Sequence, residues 1–198
     1  MARRFTVGFP LPRARGPVAV VLLVLLVAGV LVSQRAAPGL PAVGTVAVAV
    51  DGDTLRVRAG GRTWRVRLIG IDTPEAHPCD KLDRDARRTR QDKQTILRLG
   101  RQAGDFTRAL CEGKRCRLEY DPANAASGHC DRYGRLLAFV WVTGEDGADV
   151  LANTEIVRAG YAAALTRYPF HEGRKAELMR LEREARAEGR GLWREWRH

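Results

Sequence analysis

Through the middle of the chain, apolar residues fall in short runs of Val, Leu and Ile broken by Asp-Gly and Gly-Gly pairs. Val43 to Val50, Thr54 to Ala59 and Arg62 to Ile71 therefore read as three strands of a meander. From about Leu82 to Cys111 the period lengthens. Ile96, Leu97, Phe106, Ala109 and Leu110 are the apolar positions of a helix with its arginines outward, and Gly100 and Gly104 are expected to break or bend it. Strand character returns over Lys114 to Tyr120 and Arg135 to Val142. Val150 to Ala159 then predicts a short helix ended by Gly160. Glu172 to Glu188 predicts a charged amphipathic helix stopped by Gly189, with Ala176, Leu178, Met179, Leu181 and Ala185 inward.

Five strands with a helix between the third and fourth predict an α+β fold, mainly β: a small closed five-stranded barrel of the OB type with about three packed helices. A different pattern precedes it. Residues 17–32 are nearly uninterrupted Val, Leu and Ala, with Arg3, Arg4, Arg13 and Arg15 before them against Arg35 alone just after, an asymmetry that holds an N-terminus in the cytoplasm. The chain thus divides into a basic N-region over 1–16, a transmembrane signal anchor or cleavable signal peptide over 17–32, a linker over 33–42 and a folded domain over 43–198. The run falls slightly short of the ~20 residues of a full span, while Ser33-Gln34-Arg35-Ala36-Ala37 makes a poor cleavage site. The domain is expected on the extracytoplasmic side, membrane-anchored if the segment stays and secreted if it is cut.

Composition sharpens this picture in two places. At 198 residues, 45% apolar and 29% charged, the chain suits one ordinary globular domain with appendages and not a disordered one. Lys and Arg number 34 against 23 Asp and Glu, an excess that favours a polyanionic partner. Cys79, Cys111, Cys116 and Cys130 all come after the apolar run, where disulfides would persist. Four cysteines allow three pairings. Cys111 with Cys116 and Cys79 with Cys130 is the favoured set, since Cys111 ends a helix and Cys116 faces inward on the next strand. A zinc site is the rival, but paired CxxC elements are missing.

The chemistry is concentrated in three stretches. Arg67-Leu68-Ile69-Gly70-Ile71 ends in Asp72-Thr73-Pro74-Glu75, so a strand carries an arginine at its start and two carboxylates at its end. Asp51-Gly52-Asp53-Thr54 adds acids in a turn, and Asp131-Arg132-Tyr133-Gly134-Arg135 adds a second arginine. Two acids for a cation, one to spare and two arginines make a set for cutting phosphodiesters. Singly, each has an ordinary reading: the aspartates cap a hairpin turn, Pro74 ends a strand, Arg67 is an outward strand charge and Arg135 a surface ion pair. Their joint presence is what favours chemistry.

With Asn153-Thr-Glu-Ile-Val-Arg-Ala-Gly160 and Gly189-Arg-Gly-Leu-Trp193 added, five motifs stand in an order that resembles the staphylococcal nuclease (thermonuclease) family, over about Val43 to Trp193. The resemblance implies an OB-type barrel and a calcium-dependent endonuclease acting on DNA and RNA, leaving 3′-phosphate products, with no obligate protein partner. Carried over by motif, Asp53 and Asp72 would ligate Ca²⁺ through carboxylates and Thr73 through its backbone carbonyl. Glu75 would be the general base, Arg67 and Arg135 would grip the phosphate, and Tyr133 and Tyr168 would touch substrate. The chain departs from the pattern by a basic insertion around Asp83 to Arg98 and by Thr166 where a second tyrosine often accompanies Tyr168. The alternative is a non-catalytic nucleic-acid-binding or protein-interaction module on a nuclease-like barrel, against which the intact acids speak.

Overall fold

The Asp-Gly and Gly-Gly pairs do make the turns of a meander. In the computed structural model, which describes residues 39–144 and 147–195, strands β1 (Val43–Ala49), β2 (Thr54–Ala59) and β3 (Arg62–Leu68) pair antiparallel in succession. β5 (Arg115–Glu119) lies antiparallel on the other side of β1, and β6 (Leu136–Thr143) antiparallel beside β5. The barrel closes where β3 and β6 run parallel, Val66 opposite Leu136, Arg67 opposite Leu137 and Leu68 opposite Ala138. Five strands thus close as an OB-type barrel, with β7 (Asp149–Leu151) extending the β6 edge. Inward alternation puts Leu55, Val57, Val66, Leu68, Leu118, Ala138 and Val140 in the core.

The strand expected over Arg62 to Ile71 is interrupted. β3 stops at Leu68, and Gly70 takes a φ of +81° before β4 (Ile71–Asp72) pairs with the short β8 (Ala163–Ala164). Any side chain at Gly70 would be strained in that conformation and would stand 2.7 Å from Leu178 and 2.9 Å from Phe170. The break swings Asp72, Thr73 and the loop beyond them off the barrel wall.

The single helix expected from Leu82 to Cys111 is two, α1 (Asp80–Thr89) and α2 (Lys93–Cys111). Arg90 ends the first in the left-handed region, and the Asp92 carboxylate caps the second by accepting the Thr95 N–H at 2.8 Å. Gly100 and Gly104 do not break α2, which runs through both without interruption. Similarly, Val150 to Ala159 divides into β7 and α3 (Ala152–Arg158), and the last helix is α4 (Glu172–Ala187). Leu178, Leu181 and Ala185 face the core as expected, whereas Ala176 and Met179 are exposed. Four α-helices are therefore described where about three were expected. Leu192, in a 3-10 turn over Gly191–Arg194, packs with Leu99 and Ala103 of α2, and its N–H donates to the Gly160 carbonyl at 3.0 Å.

All four cysteines carry free thiols, so neither expected bond is formed. Cys111 and Cys116 do face the same core. Burial pushes Cys111 up to about 12 and Cys116 up to about 11, which keeps both protonated and inert at neutral pH. Cys79 is exposed at the start of α1, while Cys130 packs against the barrel core and bridges to Leu136. Among the described residues no helix is long and apolar enough to cross a membrane. The run over 17–32 lies outside the described residues.

One buried amide secures the closure. Asn153 of α3 is fully buried; its Oδ1 accepts the Val140 N–H at 2.9 Å and its Nδ2 donates to the Ile69 carbonyl at 2.8 Å. Asn153→Ala should leave both backbone groups buried and unpaired, at a cost of at least ~2 kcal/mol, read as a lower urea midpoint. An unchanged midpoint would remove Asn153 from this role.

Candidate active site

The acidic turn, the end of β3 and the start of β6 meet because Thr54 stands directly opposite Arg67, and Arg67 opposite Leu137. Asp53 sits at the centre and is buried. One carboxylate oxygen, Oδ2, accepts both the Thr73 N–H and the Thr73 hydroxyl at 3.2 Å, and lies 2.9 Å from Nη1 of Arg67. The other, Oδ1, accepts the Thr54 hydroxyl at 3.1 Å. Arg67 also reaches Asp72 Oδ1 at 3.4 Å through Nη2.

Arg135 comes to the same hydroxyl from the other side. Its Nη1 donates to Thr54 Oγ1 at 3.2 Å, while its Nε donates to Asp131 Oδ2 at 2.7 Å. Tyr133 is 61% exposed beside it, its ring 5.5 Å from the Arg135 guanidinium and 4.8 Å from that of Arg132. Tyr168 lies outside this chain of contacts; it is half exposed, with Arg167 over its ring.

Glu75 comes directly after Pro74 on a loop that rests on α2. A Cβ at Gly100 would overlap the Glu75 carbonyl, so only glycine lets the helix support the loop at this distance. The Glu75 carboxylate meets a residue with no part in the sequence motifs, Lys81 of α1, Oε1 to Nζ being 2.9 Å. The same ammonium donates to the Thr73 carbonyl at 2.9 Å and lies 3.2 Å from Asp72 Oδ1 and 3.8 Å from Asp85 Oδ2.

Arg135, Thr54, Asp53, Arg67, Asp72, Lys81 and Glu75 are thus linked without a gap. Of the residues singled out from sequence, Asp53, Arg67, Asp72, Thr73, Glu75, Arg135 and Tyr133 are brought together, and Tyr168 is not. Sequence reasoning missed Lys81, Asp85, Thr54 as bridge and Asp131 as anchor. Asp131 was within reach, since it heads the Asp-Arg-Tyr-Gly-Arg motif. Nothing periodic marks Lys81.

Acids outnumber bases here, and the carboxylates feel it. Burial works against charge on Asp53, but Arg67 and Lys81, with the Thr73 N–H, hold its carboxyl below the usual range. Burial, with Asp53 beside it, pushes Asp51 up to about 7. Asp72 is raised by burial, which Lys81 and Arg67 offset only in part. Burial opposes the Lys81 ammonium too, yet Asp72, Glu75 and Asp53 outweigh it and hold its pKa above the ordinary lysine value.

The Asp53 and Asp72 carboxylates and the Thr73 carbonyl are hard oxygens, the donor chemistry of Ca²⁺. Among the described residues no three acidic, imidazole or thiol groups converge on an open point. Here the Asp72, Thr73 and Glu75 oxygens converge on an ammonium instead. The donor set suits a divalent cation, and a resident lysine already uses part of it.

The chain's similarities agree with this arrangement. A family model described as staphylococcal nuclease homologue matches residues 65–195. The thermonuclease of Staphylococcus intermedius is 31% identical over 144 residues, 73% of this chain and 71% of that protein. The thermonuclease of Staphylococcus hyicus is 34% identical over 112 residues, 57% of this chain and 56% of that one. The SPbeta prophage-derived endonuclease YokF of Bacillus subtilis is 28% identical over 145 residues, 73% of this chain but 42% of its own length.

Arg135 depends on Asp131 for its direction, which gives a pH signature. Burial alone would raise Asp131, but the Arg135 N–H and guanidinium outweigh it and depress its pKa. A depressed carboxylate stabilises the fold above its unfolded pKa and loses that contribution as pH falls through the folded value. Asp131→Asn should therefore lower stability at pH 7 by about 1 kcal/mol or more. The gap to wild type should narrow as urea denaturation is repeated at successively lower pH, below the ordinary carboxylate range.

Proposed function

The chain belongs to the staphylococcal nuclease family, and on that footing we propose that it is a calcium-dependent endonuclease that hydrolyses DNA and RNA with little sequence preference and leaves 3′-phosphate products. One observation carries the reading: both arginines and all three acids stand in a single unbroken network at one end of the barrel. A barrel kept only to bind nucleic acid has no need of that acidic half.

Asp53, Asp72 and the Thr73 carbonyl would hold the Ca²⁺, which when bound supplies positive charge beside the scissile phosphate. The protein's own groups do the rest. Arg67 and Arg135 present planar donors that pair with phosphate oxygens and gain most as negative charge builds in the five-coordinate transition state. Asp53 and Thr54 hold the first guanidinium near the second, and Asp131 directs Arg135, so little reorganisation is left for the reaction. As Glu75 takes a proton from the attacking water, the water oxygen bonds to phosphorus and the bond to the 5′ oxygen breaks, the departing 5′ oxygen taking its proton from solvent. Tyr133, exposed beside Arg135, offers a hydroxyl or a ring to the substrate. Tyr168 keeps a substrate role in this reading on the strength of its motif alone.

Purified protein with plasmid DNA or with RNA should degrade both in calcium and neither in chelator. Glu75→Gln should lower turnover by at least ~100-fold, the lower end of a general base's contribution, while nucleic acid still binds. Arg67→Lys should also be severe, because an ammonium cannot reproduce the fork held on Asp53 and Asp72. A wild-type protein that binds but never cuts would move the reading to a binding module.

The same proposal sets the domain outside the cytoplasm, anchored by or released from residues 17–32, on the ground of that segment's apolar run and flanking arginines. Protease added to intact spheroplasts should then digest an anchored domain, or the culture medium should contain a released one. Recovery of the whole protein intact from the cytoplasm would overturn this placement.

A further inference from the structure

Lys81 has no place in the mechanism, yet it touches three residues of the proposed machinery. Its ammonium has three donors, and three site oxygens lie within hydrogen-bond distance: Thr73 O at 2.9 Å, Glu75 Oε1 at 2.9 Å and Asp72 Oδ1 at 3.2 Å. Two of these belong to the groups assigned to the metal and the third to the assigned base. A Ca²⁺ ion would approach its oxygens to about 2.3–2.6 Å, so on Asp72 Oδ1 and Thr73 O it would stand as a second cation beside an ammonium bonded to both. The ammonium and the metal compete for the same two oxygens.

The structure also provides somewhere for the ammonium to go. Lys81 and Asp85 are one helical turn apart on α1, and Asp85 Oδ2 is 3.8 Å from Nζ. Asp85 is buried, held on its other oxygen by Arg88 at 3.1 Å. Leu82 of the same turn is fixed in a small apolar cluster with Ile96 and Leu97 of α2, so the backbone can stay while the side chain, 28% exposed, changes partner. Asp85, the receiving carboxylate, lies within the insertion by which the sequence departs from the family pattern.

We propose that Lys81 is an internal cation that holds the metal locus shut, ordering Asp72, the Thr73 carbonyl and Glu75 until calcium displaces its ammonium toward Asp85. The inference rests on the calcium reading of this site. Its effect is a threshold. Because metal can bind only the open fraction, apparent affinity falls by that fraction, and the displaced lysine leaves Glu75 free as a base at the moment the metal arrives.

Isothermal titration of calcium into the full-length chain tests this without reference to turnover. Lys81→Met keeps the length of the stem and removes the charge, and should tighten calcium binding by at least ~10-fold if the shut state is more than nine-tenths populated. Lys81→Arg should stay weak. Equal or weaker affinity in Lys81→Met would overturn the proposal while leaving the calcium reading standing. Absence of binding in both proteins would overturn the calcium reading and the proposal with it. Should the methionine variant fail to fold, the wild type still decides. Amine acylation followed by mass spectrometry should find Lys81 protected in chelator and labelled in calcium, with other lysines unchanged, and calcium-independent labelling of Lys81 would overturn the proposal.

Discussion

Three residue pairs of parallel strand, Val66 with Leu136, Arg67 with Leu137 and Leu68 with Ala138, turn an open meander into a closed barrel. Both the fold and the candidate site depend on that short seam. It removes the exposed sheet edges that β3 and β6 would otherwise present, and it brings the arginine of one motif beside the arginine of another that lies far along the chain. Neither motif could reach the other through local structure. Asn153 reinforces the seam from outside the sheet, bonding the backbone of β6 and of the residue just past β3 with a single side chain.

On the scaffold so closed, the site is an exercise in crowded charge. Asp53 is buried with its charge intact because four donors reach it, two of them from Thr73 alone. Asp72, less well supplied, is pushed toward its neutral form by burial. Removing one partner from such a network exposes the full desolvation cost of the other, so its members are best understood as a unit. Preorganisation and surplus negative charge are here the same feature: the oxygens that carry the surplus are held in position by cations of the protein.

The barrel was legible in the sequence because strands and turns announce themselves at short range, Asp51-Gly52 and Gly60-Gly61 most clearly. What escaped was set by tertiary contact. Gly70 breaks a strand that its neighbours' apolar character would have continued, because Leu178 and Phe170 of a distant segment occupy the space a side chain would need. Arg90 ends a helix in a basic stretch whose composition carries no stop signal. Gly100, read as a helix breaker, is instead the place where a helix comes close enough to support Glu75. The motif residues of the candidate site could be named from their order alone, but Lys81 could not, since its significance arises only when α1 folds back over Asp72 and Glu75. Cys111 and Cys116 were expected to pair because both face inward, but inward direction predicts shared burial, and burial by itself leaves thiols as thiols.

Leu192 sits within the last few described residues, yet it packs against Leu99 and Ala103 on the helix whose Gly100 supports the Glu75 loop. The segment carrying Leu192 is therefore part of the floor beneath a proposed catalytic carboxylate. Contacts of such long sequence separation form late, after the loop entropy between them has been overcome. A polypeptide still being synthesised can build its meander early, but it cannot complete this floor until the segment carrying Leu192 has left the ribosome. Order of synthesis thus becomes a safeguard, because the support under that carboxylate is laid after the barrel strands.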